Sequence, residues 1–135
     1  MHKIEHIGIA VKDLDEAEKR YEQLLGVPPY KREEVSSENV ITSFFMTGPN
    51  KIELLASTSE DGVIARFIDK KGEGIHHIAF AVQDIHLEME RLKMKGYKLL
   101  SDAPKKGADN KLVCFVHPKE LHGVLTELCM DISEK

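Results

Sequence analysis

No stretch of this sequence approaches the eighteen or so apolar residues that a membrane span requires, and none is basic for long enough to hold nucleic-acid phosphates. There is no acidic tail either; acids and bases are interspersed, and the net charge is -4. Membrane and nucleic acid are therefore not expected partners. Cysteine is scarce. Cys114 and Cys129 are too few and too widely separated for a disulfide framework or a zinc knuckle. Both are expected to be packing thiols, and a reducing cytoplasm is the expected compartment. Met1-His2-Lys3 opens straight into a strand pattern, so no signal peptide is expected. No low-complexity segment divides the chain. What remains is 135 residues, 41% hydrophobic and 31% charged, enough for one globular domain with a real core.

The chain contains an internal repeat. Residues 4–13 read Ile-Glu-His-Ile-Gly-Ile-Ala-Val-Lys-Asp, and residues 75–84 read Ile-His-His-Ile-Ala-Phe-Ala-Val-Gln-Asp. With His6 set over His77, Ile7 falls on Ile78, Ala10 on Ala81, Val11 on Val82 and Asp13 on Asp84. Each segment runs into a helical pattern: Leu14, Ala17, Tyr21, Leu24 and Leu25 in the first copy, Ile85, Met89 and Leu92 in the second. Asp13 and Asp84 stand where N-caps belong, with Glu16 positioned to complete a capping box. Gly26 and Gly96 stand where left-handed C-caps are wanted. Three short β-type runs follow each helix. They are Tyr30–Val35, Val40–Met46 and Lys51–Ala56 in the first half, and Tyr97–Leu100, Leu112–His117 and Val124–Cys129 in the second. The expected organisation is two βαβββ modules, about 3–56 and 75–130. A connector over 57–74 should carry one short amphipathic helix built on Val63, Ile64, Phe67 and Ile68.

Side chains alternate faces along a strand. Ile7, Ile9 and Val11 share one face and can cover the following helix, leaving His6 with Gly8 and Ala10 on the other. His77 likewise shares its face with Ala79 and Ala81. Each histidine thus projects from a surface kept small, as the wall of a cavity would be. Glu53 interrupts Ile52-Glu53-Leu54-Leu55, and Glu127 interrupts an equally apolar run. A carboxylate there costs several kcal/mol unless a cation or proton meets it. His6 to Glu53 is 47 residues and His77 to Glu127 is 50, so the carboxylates repeat with the histidines. His6, Glu53, His77 and Glu127 are the expected ligands of one divalent ion. Two imidazoles and two carboxylates suit Co, Ni, Mn, Zn or Fe(II), with positions left for water. The other histidines carry no such pairing. His76 reads as a packed or hydrogen-bonded neighbour of the site, His117 as strand-end packing, and His2, His86 and His122 as surface residues. Pro104–Lys111 reads as a solvated loop, and Lys31-Arg32-Glu33-Glu34 and Glu88–Lys95 as solvated faces.

The segments His6-Ile-Gly-Ile-Ala-Val-Lys-Asp-Leu, Tyr30-Lys-Arg-Glu-Glu-Val, Ile52-Glu-Leu-Leu, Gly72-Glu-Gly-Ile-His-His-Ile-Ala-Phe and His117-Pro-Lys with Gly123-Val-Leu-Thr-Glu-Leu carry a resemblance over nearly the whole chain. It resembles the vicinal oxygen chelate superfamily and, within it, the methylmalonyl-CoA epimerase family. That resemblance implies an α+β fold, with duplicated βαβββ modules forming a half-closed, eight-stranded mixed sheet and the helices outside. It implies a homodimer, an acyl-CoA thioester substrate and a divalent metal cofactor, with cobalt favoured. The implied reaction inverts the α-carbon of methylmalonyl-CoA through an enolate, with Glu127 and Glu53 as acid/base candidates. The chain departs from some members in having Thr42 and Ser43, and no acid, in the strand where an additional carboxylate can stand. The rival readings are a lactoylglutathione lyase, a metal-free binding protein and a ring-cleaving dioxygenase. The binding protein would have no use for four repeated ligands, and the dioxygenase chain is usually longer.

Overall fold

The structure, a computed structural model, describes residue 1 and residues 3–132. In the first module, β1 (Lys3–Ala10) leads into α1 (Leu14–Leu25), then β2 (Lys31–Val35), β3 (Val40–Thr47) and β4 (Asn50–Ser57). The connector holds α2 (Val63–Lys71). In the second module, β5 (Gly74–Ala81) leads into α3 (Ile85–Met94), then β6 (Lys105–Gly107), β7 (Lys111–Val116) and β8 (Thr126–Asp131). The expected α+β class holds, with duplicated βαβββ modules and eight strands in a mixed sheet. The strand order is β2-β3-β4-β1 in one module and β6-β7-β8-β5 in the other, the same order twice. In each, the first strand runs parallel to the last while the remaining pairs are antiparallel. Among the described residues no helix is long and apolar enough to cross a membrane.

The chain divides into two compact units, His6–His76 and the rest of the described chain, so the divisions fall inside β1 and β5 rather than in loops. Within the first unit, Ile9 and Val11 pack with Leu14, Ala17 and Tyr21 of α1, together with Phe45 and Leu54. The opposite face puts Ala10, Val40 and Leu55 against Ile64, Phe67 and Ile68 of α2. Within the second unit, Ile85, Met89 and Leu92 of α3 pack on Cys114, Val116 and Leu128. The alternation expected from the sequence is therefore realised in both, and both cysteines are buried free thiols. Burial pushes the Cys114 thiol above its usual value.

Local signals account for the helix ends. Asp13 and Asp84 accept from the N–H groups of Glu16 and Leu87. The capping box is not closed as expected, because the Glu16 carboxylate accepts from Arg20 one turn on. Gly26 ends α1 at φ 76°, where a Cβ is disfavoured. Gly96 also has positive φ but lies one residue beyond the C-cap, Lys95. Leu24, expected on the buried face of α1, is 74% exposed.

Two expectations in the second module fail together. Tyr97–Leu100 forms no strand and contributes only a single bridge, Leu99 to Val116. Its apolar residues are apolar because Tyr97 and Leu99 pack on the α3 core. The edge strand is instead Lys105–Gly107, inside the segment expected to be a solvated loop, paired antiparallel with Lys111–Val113.

Candidate metal centre

In the first unit, β1 and β4 present His6 and Glu53. Their register sets Gly8 opposite Glu53 and His6 opposite Lys51, so the two side chains share a face. Nε2 of His6 lies 3.2 Å from Oε1 of Glu53, and each side chain is only 7% exposed. Phe44 is the cross-strand neighbour of Glu53 on β3, and its ring stands 5.8 Å from that of Tyr30.

The second unit repeats this with different residues. Ala79 is set opposite Glu127, which puts His77 and Glu127 on one face. Their Nε2–Oε1 distance is again 3.2 Å, with exposures of 4% and 7%. Phe115 is the cross-strand neighbour of Glu127 and meets the His77 ring edge-on at 5.8 Å. Each module thus brings its own predicted pair together and backs it with one phenylalanine.

The donor set fits a divalent ion. An imidazole nitrogen and a carboxylate oxygen held this close and this buried need a shared positive charge between them, from a proton or a metal. Both are ordinary ligands for borderline-hard cations.

The remaining histidines fall largely where expected. His76 packs edge-on against Phe67 of α2 at 4.8 Å, and His86 and His122 are exposed. His2 lies outside the described residues. His117 is half-buried and does more than pack, since its Nδ1 accepts from the N–H of Lys119 and caps the Pro118–Leu121 turn.

Three features escaped the sequence reading. The run Lys31–Glu34 is not one solvated face. Arg32 turns toward α1 and binds the carboxylates of Glu18 and Asp15, holding the Glu18 carboxyl below its usual range. Lys31 and Glu33 take the other face, where the Lys31 ammonium lies 5.6 Å from the Phe44 ring centre and 3.3 Å from Glu33 Oε1. Simple alternation along the strand was the available signal. Thr42 and Ser43 also separate: Ser43 donates to Glu18 on the α1 side, so Thr42 alone occupies the Glu53 face. Finally, Lys111 is buried and its ammonium is shared between Glu5 and Asp131.

Residues 5–115 match the Glyoxalase/Bleomycin resistance protein/Dioxygenase superfamily. The chain is 41% identical to an ethylmalonyl-CoA/methylmalonyl-CoA epimerase of Cereibacter sphaeroides, over 93% of this chain and 96% of that one. It is 38% identical to the mitochondrial methylmalonyl-CoA epimerase of Homo sapiens, over 93% of this chain and 72% of the relative. A Streptomyces coelicolor methylmalonyl-CoA epimerase variant, solved in complex with 2-nitronate-propionyl-CoA, superposes with a TM-score of 0.93 at 33% identity, covering 98% of this chain and 96% of that one. Fold, duplicated pairs and relatives agree, and the chain belongs to the Glyoxalase/Bleomycin resistance protein/Dioxygenase superfamily, among its epimerases.

Proposed function

We propose that the protein epimerises methylmalonyl-CoA with the help of one divalent ion held by His6, Glu53, His77 and Glu127. The observation that carries this reading is the twofold occurrence of a buried His–Glu pair at the same 3.2 Å separation. Relatives bearing the epimerase name at 38–41% identity support the substrate. Co is the favoured ion, with Ni, Mn, Zn and Fe(II) as alternatives.

The α-hydrogen of a malonyl-type thioester is acidic because the thioester carbonyl can take up the charge left by its removal, while the neighbouring carboxylate, already charged, opposes this unless a cation meets it. A bound divalent ion adds Lewis acidity at those oxygens. The protein's own residues do the rest. Inversion demands that a proton leave one face of the carbon and another arrive on the opposite face; Glu127 and Glu53, from equivalent strands of opposite modules, bring one carboxylate from each side to the substrate. Phe44 and Phe115 stand beside the two carboxylates and limit the water that would otherwise solvate the enolate. The working assembly is a homodimer in the cytoplasm, detectable as a dimer by sedimentation at micromolar concentration.

The test is a two-substrate assay on one metal-loaded preparation. Methylmalonyl-CoA should be epimerised, and its α-hydrogen exchanged in deuterated water. The glutathione hemithioacetal of methylglyoxal should be untouched. Turnover of the hemithioacetal, with neither epimerisation nor exchange of the CoA thioester, would replace this reading with a lyase.

A further inference from the structure

We infer that Glu33 carries the proton on the first module's side of the substrate, as a third carboxylate outside the ligand set. The inference rests on the epimerase reading above and deepens it. On the face of the first module that bears His6 and Glu53, register places Lys31, Glu33 and Val35 of β2, Val40, Thr42, Phe44 and Met46 of β3, and Lys51, Glu53 and Leu55 of β4. Glu53 and Glu33 are the acids on that face. Glu53 is engaged with His6 at 3.2 Å. Glu33 stands opposite Thr42, whose hydroxyl donates to the Glu33 carbonyl oxygen, and its carboxylate lies 3.3 Å from the Lys31 ammonium in a partly exposed pair.

The separation is suited to the role. Two strand spacings put β2 roughly 10 Å from β4, too far for Glu33 to join the ligand set. The intervening floor is Phe44, the direct neighbour of both Lys31 and Glu53. A malonyl head lying across that ring would have Glu53 at one end and Glu33 at the other. The Glu33 side chain is 33% exposed, so protons it takes up can exchange with solvent.

Among the described residues, the second module offers no such group on its strands. The residue at the equivalent register, opposite Val113, is Lys105. The remaining acid of that face, Asp131, stands at the far end of β8, two same-face positions beyond Glu127 and opposite Lys111. Proton transfer on the second side therefore falls to Glu127. In the forward direction the Glu33 carboxylate accepts the α-proton, and the C–H electron pair moves into the thioester carbonyl. A proton then reaches the opposite face of the carbon from the second module's side, where Glu127 stands. The reverse direction exchanges the two roles, and solvent resets both groups.

The test uses each pure epimer with metal-loaded enzyme in deuterated water. Glu33→Gln should slow epimerisation at least ~100-fold, the lower range for a lost general base, with metal stoichiometry unchanged. It should still exchange the α-hydrogen of the one epimer that Glu127 serves, with retention of configuration. Glu33→Asp should recover part of the inversion rate. Glu34→Gln, on the opposite face of the same strand, should match the unmodified enzyme. Exchange without inversion is a signature that a structural defect would not give. Glu33→Gln that epimerises at the unmodified rate, or that loses exchange from both epimers alike, overturns the inference. If the unmodified enzyme neither epimerises nor exchanges, the epimerase reading itself has failed, and this inference falls with it.

Discussion

The two modules share strand order, register and a buried His–Glu pair, yet they differ in what covers the face beyond that pair. In the first, Ala10, Val40 and Leu55 are capped by Ile64, Phe67 and Ile68 of α2. In the second, the equivalent positions are Ala81, Lys111 and Cys129, and among the described residues no helix packs on them. A cavity of about 370 Å³ remains there, lined also by Lys3, Glu5 and Asp131. Duplication copied the strands that hold the His–Glu pairs, while the connector between the modules exists once. One copy was therefore sealed with apolar side chains and the other with an ion network around a buried lysine. Equal His–Glu pairs in unequal surroundings should behave unequally when changed.

The largest inequality should appear in catalysis. Glu127→Gln should reduce epimerisation by about 1,000-fold, within the usual range for loss of a general acid or base, and should remove α-hydrogen exchange from the epimer that Glu127 serves. An amide can still ligate weakly but cannot take up the proton. Glu53→Gln should cost less, because the first module keeps Glu33 on the same face. Equal losses from the two substitutions, measured as kcat/KM for both epimers, would break the asymmetry.

Metal binding, by contrast, should be symmetric. His77→Ala and His6→Ala should each abolish stoichiometric metal retention while far-UV circular dichroism still reports a folded chain. One tightly held ion per chain in either variant would defeat the four-ligand assignment.

How much of this was legible beforehand follows the strength of the local pattern. The His and Glu positions were readable because they break apolar strands at repeated places, and β3, β4, β7 and β8 are largely apolar runs buried at consecutive positions. The β6 edge was not, because Lys-Lys-Gly has neither β-branched residues nor a buried face to advertise, while Tyr97–Leu100 looked like a strand only because tertiary packing demanded apolar residues there. Glu33 was hidden in a run of charges. Alternation assigns Lys31 and Glu33 to one face and Arg32 and Glu34 to the other, but nothing in the sequence says that both faces of this short strand are used.

Removing the α2 seal should be felt in stability more than in chemistry. Ile64 is 2% exposed against Ala10, Val40 and Leu55. Ile64→Ala should destabilise the fold by about 2–4 kcal/mol, as large-to-small core changes do, read from the urea midpoint at unchanged m. Among the described residues, the second module has no helix at the matching place. Cys129→Ala, at the floor of the cavity, removes only a sulfur and should cost about 1 kcal/mol.

The smallest effect concerns how each module fastens its helix. Set in register, Glu18 of α1 corresponds to Met89 of α3, and Ser43 of β3 to Cys114 of β7. The second module makes an apolar contact there, with Met89 and Cys114 both in the α3 core. The first makes a polar one: Ser43 Oγ donates to Glu18 at 2.5 Å, and Arg32 Nε donates to the same carboxylate at 2.8 Å. The hydrogen bond from Arg32 is the largest cause holding the Glu18 carboxyl below its usual value, with burial opposing it. A folded-state value below the unfolded one contributes stability that is present above the unfolded value, roughly pH 4.3, and is lost as pH falls through the folded value. Glu18→Gln should therefore cost about 1 kcal/mol at neutral pH, a modest figure because Arg32 is 39% exposed and solvent screens its charge. The gap between the variant and the unmodified protein should narrow steadily below pH 4, as the unmodified protein forfeits the contribution that the variant never had. Urea unfolding at pH 7 and at pH 3 measures both ends. A gap that stays constant across that range would show that the Glu18 contact is held by packing, as its apolar counterpart in the second module is, and not by charge.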